Sequence, residues 1–265
     1  MIVDFHTHVF PDKIAEKTIA YLSAKGGIPP FSDGTVAGLR RRMEEAGVSL
    51  AVTLPVLTNP DSFESVNRFA LSINEARQGL LSFGAIHPRC TDIAGKMQAL
   101  HDMGFLGVKI HPDYQETFID DEGYAAILSA AKRHGMIVVA HAGVDVGYPD
   151  SPVRCTPDRV LALLRRVPYD RLVLAHMGGC LMADEVLQRL CGKDIWFDTA
   201  YVLRTIGRET FCRLAERHGT DKILFGSDSP WSPMAEDVAT LKALVPDEKA
   251  QGDILYRNAQ ALLGL

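Results

Sequence analysis

Nine histidines carry the chemical signal of this chain: His6, His8, His87, His101, His111, His134, His141, His176 and His218. His6 and His8 are two residues apart at the end of the apolar run IVDF at 2–5, and residues i and i+2 of a strand point the same way. Two imidazoles so placed offer two ring nitrogens to one ion, and neutral imidazole suits zinc, iron, manganese or nickel. Near the other end the run KILFG is followed by SDSPW, where Asp228 is a carboxylate able to ligate a metal and to take a proton from bound water. The competing reading of Ser227 and Asp228 is a cap on the following helix.

Eight short apolar runs must position these residues: 2–5, 50–54, 81–86, 107–110, 136–140, 171–175, 195–198 and 222–226. They are continuous rather than alternating, as in strands buried on both faces of a parallel sheet. Helical patterns separate them, at 35–46, 64–78, 91–103, 121–135, 156–168, 183–191, 207–218 and 250–263. Thr156 and Pro157 begin one in the favoured cap and first-turn positions, and Gly135 stops another. Eight strand–helix units over one domain, 1–265, predict an α/β fold of the (β/α)8 TIM-barrel type. A doubly wound open sheet is the alternative, but no G-x-G-x-x-G follows the first run. The connection at 9–34 is either a lid or an extra helix from 12 to 24 with an irregular return.

His6, His8, His87, His111, His141 and His176 all stand at the exits of these runs, six of the nine. Exit positions make up roughly a tenth of such a barrel, so about one histidine is expected there by chance. The exits of a barrel converge on one mouth, which puts the six in a common pocket.

In this arrangement the sequence resembles the amidohydrolase superfamily, in its metal-dependent amidohydrolase 2 or aminocarboxymuconate-semialdehyde decarboxylase-like branch. The resemblance rests on H-T-H after the first run, VVAHAG and VLAHMGG after the fifth and sixth, and FGSDSPW after the eighth, and it covers the whole chain. It implies that His6, His8, His141 and Asp228 hold a divalent metal, zinc with manganese as the alternative, and that His176 is a second-metal ligand or an acid/base and substrate contact. It also points to a homodimer. Many binuclear members have a glutamate or carboxylated lysine at the end of the fourth strand, whereas this chain reads GVKIHPDYQ. Lys109 therefore has three readings: carboxylated and bridging, cationic beside Asp228 or a substrate anion, or paired with an interior acid such as Asp4. One ion is favoured over two.

His111, Lys109, His87, Arg89, Arg154 and Trp231 are the candidate substrate contacts, with Asp198 and Tyr201 as weaker pocket residues. Cys180 reads as a packing residue. The formal net charge is −5 with its charges scattered, which excludes a nucleic-acid track and an anionic membrane surface. No run approaches a membrane span. Five cysteines without C-x-x-C spacing, and no signal-like start, fit a reducing cytoplasm. The expected activity is metal-dependent hydrolysis of an amide, ester or lactone in a small anionic substrate. The rivals are a decarboxylase or hydratase on the same scaffold and a metal-binding protein without turnover. The last is disfavoured because His176 is a titratable group that such a site does not need.

Overall fold

Each apolar run forms a parallel strand because its residues are buried on both faces, inward against the opposite wall and outward against the helices. The computed structural model describes residues 1–265. The strands are β1 (Val3–Thr7), β2 (Leu50–Thr53), β3 (Leu80–Ser82), β4 (Gly84–Ala85), β5 (Gly107–Ile110), β6 (Ile137–Ala140), β7 (Leu172–Leu174), β8 (Trp196–Asp198) and β9 (Ile223–Leu224). They pair in parallel as β1-β2-β3 and β4-β5-β6-β7-β8-β9. Phe83 joins β3 to β4, and its N–H donates to the Thr53 carbonyl at 3.0 Å, so the two segments are one interrupted stave. Closure comes from the Phe5 N–H to the Phe225 carbonyl (2.7 Å) and the His8 N–H to the Ser229 carbonyl (2.7 Å). The result is an eight-stave TIM barrel, as the sequence predicts.

Phe5, Leu54, Phe83, Val139, Val173 and Leu224 belong to the inner cluster, and Leu262 and Leu263 of α11 (Asn258–Leu263) pack into it. The Asn258 side-chain amide fixes that helix by donating to the Thr220 and Ile223 carbonyls, both at 2.7 Å. Thr156 and Pro157 begin α6 (Pro157–Arg166), with the threonine hydroxyl accepting from the Arg159 N–H at 3.4 Å. Gly135 ends α5 (Glu122–His134) in the left-handed conformation, φ 63°. No helix is long and apolar enough to cross a membrane.

Two features of the strand-to-helix connections complete the frame. The segment after β1 forms α1 (Asp12–Gly26), so of its two readings the structure displays the extra helix. Its irregular return is tied down by the Phe31 N–H on the Pro230 carbonyl at 2.7 Å. The other is α9 (Met234–Leu244), a helix the sequence reading does not anticipate.

Asp237 on α9 and Asp4 in β1 are buried carboxyls, each with an Oδ2 that has no hydrogen-bond partner. Burial pushes each up to about 7. Between pH 4 and 7 the fold keeps these protons while the unfolded chain, titrating near 3.8, has lost them. The unfolded state then binds fewer protons, so this contribution makes stability fall as pH rises through the window. Asp237→Asn is expected to raise the urea midpoint at pH 8 and to flatten its change between pH 5 and pH 8. An unchanged slope would refute the assignment.

Candidate active site

His6 lies on β1, His8 just beyond it, and Asp228 in the loop after β9, where its N–H donates to the His6 carbonyl at 2.8 Å. Their ligand atoms form a tight triangle. His6 Nε2 is 3.2 Å from His8 Nε2 and 3.3 Å from Asp228 Oδ1, and His8 Nε2 is 3.1 Å from Asp228 Oδ1. Burial first, then the Lys109 charge, pushes the His6 imidazole far below its ordinary value, so it is neutral. Its Nδ1 faces Asp198 Oδ2 at 2.8 Å and therefore carries the hydrogen, leaving Nε2 as an acceptor. His8 Nδ1 likewise faces the Leu54 carbonyl at 2.9 Å, which directs the Nε2 lone pair of its neutral form at the same point. Burial alone would raise the Asp228 carboxyl, but the His8 hydrogen bond and the surrounding imidazoles outweigh it and hold it at about 2. Three potential metal-ligand atoms thus converge on one point. A tetrahedral ion about 2.0–2.1 Å from each ligand separates them by about 3.4 Å, close to the observed triangle.

Lys109, in β5, is fully buried and brings its Nζ to 3.2 Å from His6 Nε2. Burial lowers it to about 8 against the opposing pull of Asp198 and Asp228. Pairing with Asp4 does not occur. Asp4 Oδ1 instead accepts the His6 N–H at 3.1 Å and the Ser227 N–H at 3.0 Å.

Asp198 organises the neighbouring side of the mouth. Besides holding His6, it accepts the His176 N–H at 2.9 Å and the Ala200 N–H at 3.1 Å through Oδ1. His176 sits at φ 62° with Nδ1 on the Ala200 carbonyl at 2.9 Å, so its Nε2 accepts. That Nε2 meets His141 Nδ1 at 3.0 Å. His141 therefore stands apart from the expected ligand set: its ring is engaged by His176, and it does not join the compact trio of His6, His8 and Asp228.

A second group, His111, His141 and Asp145, also brings three ligand atoms near one another. The His111 and His141 rings are stacked, 4.1 Å between centroids and 9° from parallel. Stacked so, the two rings hold their ring nitrogens in nearly parallel planes. Asp145 Oδ2 is 3.4 Å from His111 Nε2. In the trio around His6 the three ligand atoms lie 3.1–3.3 Å from one another.

The amidohydrolase family model matches residues 3–265. This chain belongs to the amidohydrolase family. The barrel is similar to 5-carboxyvanillate decarboxylase from Sphingomonas paucimobilis (16% identity, 100% of this chain and 99% of that one, TM-score 0.70). It is also similar to a candidate 2-pyrone-4,6-dicarboxylic acid hydrolase from Pseudomonas putida (18%, 99% and 97%, 0.68). An uncharacterised TIM-barrel protein from Bordetella bronchiseptica gives 16%, 99%, 98% and 0.75. A search of curated proteins finds no match.

The remaining substrate-contact candidates of this amidohydrolase separate into groups. His111 lines the mouth, stacked between His141 and Tyr114 (4.0 Å). Arg154 leans on Asp113, with its N–H on Oδ1 at 3.4 Å and Nη1 at 3.6 Å from the same oxygen. Arg89 donates to the Glu116 carbonyl at 2.8 Å. With His87 it borders a separate depression that shares Tyr114 with the mouth. Trp231 is half-buried, and its backbone N–H donates to the Asp228 carbonyl at 2.8 Å. Asp228 caps no helix, because α9 begins only at Met234. Burial pushes the Cys180 thiol up to about 12, in keeping with a packing role.

Sequence reasoning missed Asp113, Tyr114, Asp145, Tyr148 and Lys25, and underweighted Asp198. Lys25, in the last turn of α1, places its Nζ 3.5 Å from the Tyr148 ring centroid and 5.9 Å from that of Tyr114, and it makes no ion pair. Only Asp198 and Asp113 carried a usable signal, as acids at or just beyond strand ends.

Proposed function

We propose that this amidohydrolase is a metal-dependent hydrolase of a small carboxylated substrate, with one divalent ion held by His6, His8 and Asp228 and joined by His141. The observation that carries the reading is the meeting of three ligand atoms, two imidazole nitrogens and a carboxylate oxygen, at 3.1–3.3 Å within the barrel mouth. Two imidazole nitrogens and a carboxylate oxygen converging on one point are a donor set that fits zinc first and manganese second. A divalent ion there would supply Lewis acidity, lowering the pKa of a water and polarising a carbonyl oxygen.

The chain's own groups do the rest. Asp228 stays ionised and takes the proton released as water attacks an amide, ester or lactone carbonyl. His176, fixed by the Ala200 carbonyl and Asp198, aims Nε2 into the mouth and orients the substrate. Lys109 stays cationic beside Asp198 and Asp228, and as an ammonium it cannot serve as the carboxylated bridge that a second ion would use, so one ion is favoured.

The carboxylated substrate class draws support from the two named structures, whose compounds, a carboxyvanillate and a pyrone dicarboxylic acid, both carry carboxylates. Within the chain, Lys109 at the floor of the mouth and Lys25 at its rim are the cations best placed to meet one, since Arg154 and Arg89 already engage Asp113 and the Glu116 carbonyl. The decarboxylase among the similar folds keeps a lyase as the second reading. Product analysis separates the two on matched neutral and carboxylated esters, lactones and aromatic acids in ¹⁸O-labelled water. Hydrolysis places one labelled oxygen in the product and prefers the carboxylated member. Carbon dioxide release without label would overturn the hydrolase in favour of the lyase.

A further inference from the structure

Three buried polar atoms without hydrogen-bond partners face one another beside the mouth: His141 Nε2, Asp113 Oδ2 and Arg154 Nη1. His141 Nε2 lies 3.9 Å from Asp113 Oδ2, too far for a hydrogen bond and too near to be indifferent, and Arg154 Nη1 lies 3.6 Å from Asp113 Oδ1. The contact of His141 with His176 explains the gap. In the neutral form of His176, whose Nδ1 hydrogen goes to the Ala200 carbonyl, Nε2 accepts, and the hydrogen at the 3.0 Å contact then belongs to His141 Nδ1. The neutral His141 ring then turns a bare Nε2 lone pair toward a carboxylate oxygen, and two acceptors hold apart.

A metal-bound histidine needs the opposite arrangement, a bare nitrogen toward the ion and an N–H toward a carboxylate or carbonyl that fixes the ring. We propose that Asp113, itself held by Arg154, is the positioning residue that makes His141 a metal ligand, by accepting a hydrogen from Nε2 and so leaving Nδ1 bare for the ion. This rests on the divalent-ion site proposed above. The change moves one hydrogen from Nδ1 to Nε2 and alters no net charge. It gives Asp113 Oδ2 and His141 Nε2 the partners they lack, and it frees the Nε2 lone pair of His176. Arg154 acts in this through Asp113, as a brace and not as a substrate contact.

The test is zinc affinity, measured on the full chain by competition with a chelator, zinc being the only ligand added. Asp113→Asn keeps the shape and the contact with the Arg154 N–H but loses the carboxylate, and it is expected to weaken zinc binding about 10- to 100-fold. Arg154→Met should weaken it less, and both variants should unfold at the wild-type temperature without metal. In zinc-loaded wild type, ¹⁵N-labelled histidine spectra should show the His141 hydrogen on Nε2, a readout that does not depend on how the variants fold. Wild-type zinc affinity in Asp113→Asn, or a His141 hydrogen on Nδ1 in the loaded protein, would overturn the proposal while leaving the ion site in place. Zinc binding that is absent from wild type, or that survives in His6→Ala/His8→Ala, would instead remove the site itself and the proposal with it.

Discussion

The His6→Ala/His8→Ala double variant is expected to lose the divalent ion, from about one per chain to near zero, and its activity with it, while the barrel still folds. Both imidazoles aim Nε2 at the point where Asp228 Oδ1 arrives, so removing them leaves one of the three converging atoms. Lewis-acid assistance is worth several kcal/mol of barrier, so turnover should fall by about 10³-fold or more. Folding does not depend on these groups, because Phe5, Phe83, Val139 and Leu224 close the interior below them. The two positions differ in one respect. His6 also satisfies Asp198 Oδ2, and its loss leaves a buried carboxylate oxygen without that partner, a cost of about 1–3 kcal/mol. His8 releases the Leu54 carbonyl and its contact with Asp228 Oδ1 but leaves Asp198 paired, so His8→Ala alone is the variant that better separates loss of the ion from loss of stability. Elemental analysis with thermal unfolding checks both parts. Full metal content in the folded double variant would remove His6 and His8 from the ligand set.

The frame of the site is legible in the sequence because barrel strands are buried on both faces and so read as unbroken apolar runs. His6, His8, His111, His141, His176 and Asp228 follow such runs by one to three residues, and the mouth is where barrel exits meet. What escapes the sequence depends on loop conformation and on which nitrogen carries a hydrogen. Arg89 has the same apparent credentials as His87, yet its guanidinium turns to the Glu116 carbonyl. Lys25 is invisible as a mouth residue until α1 carries it over Tyr148. His141 stands at the anticipated strand exit, but its ring is engaged by His176 Nε2, 35 residues further along the chain, and His176 is held in turn by the Ala200 carbonyl, 24 residues beyond that. No spacing rule encodes such a chain. The α9 helix hides for a simpler reason, since the run SDSPWSP before it is dense in Ser and Pro and reads as loop.

Asp228→Asn should lower kcat by about 10²- to 10⁴-fold, the range for a lost general base, while most of the bound ion is retained. The amide oxygen can still face the ion, but the group has no site that accepts a proton near neutral pH. Asparagine is the informative substitution because Asp228 sits at φ 69°, a left-handed backbone that Asn tolerates as Asp does and that Ala adopts with strain. The N–H to the His6 carbonyl then stays in place, and with it the register that brings position 228 to His6 and His8. A fall in kcat therefore reports on proton transfer and not on a displaced loop. The ion must be saturating in the assay, since the neutral amide is the weaker ligand and an unfilled site would mimic a lost base. If kcat at saturating ion stays within a few-fold of wild type, the proton goes elsewhere. His176 is then the next candidate, because its Nε2 accepts and already points at the neighbouring ring of His141.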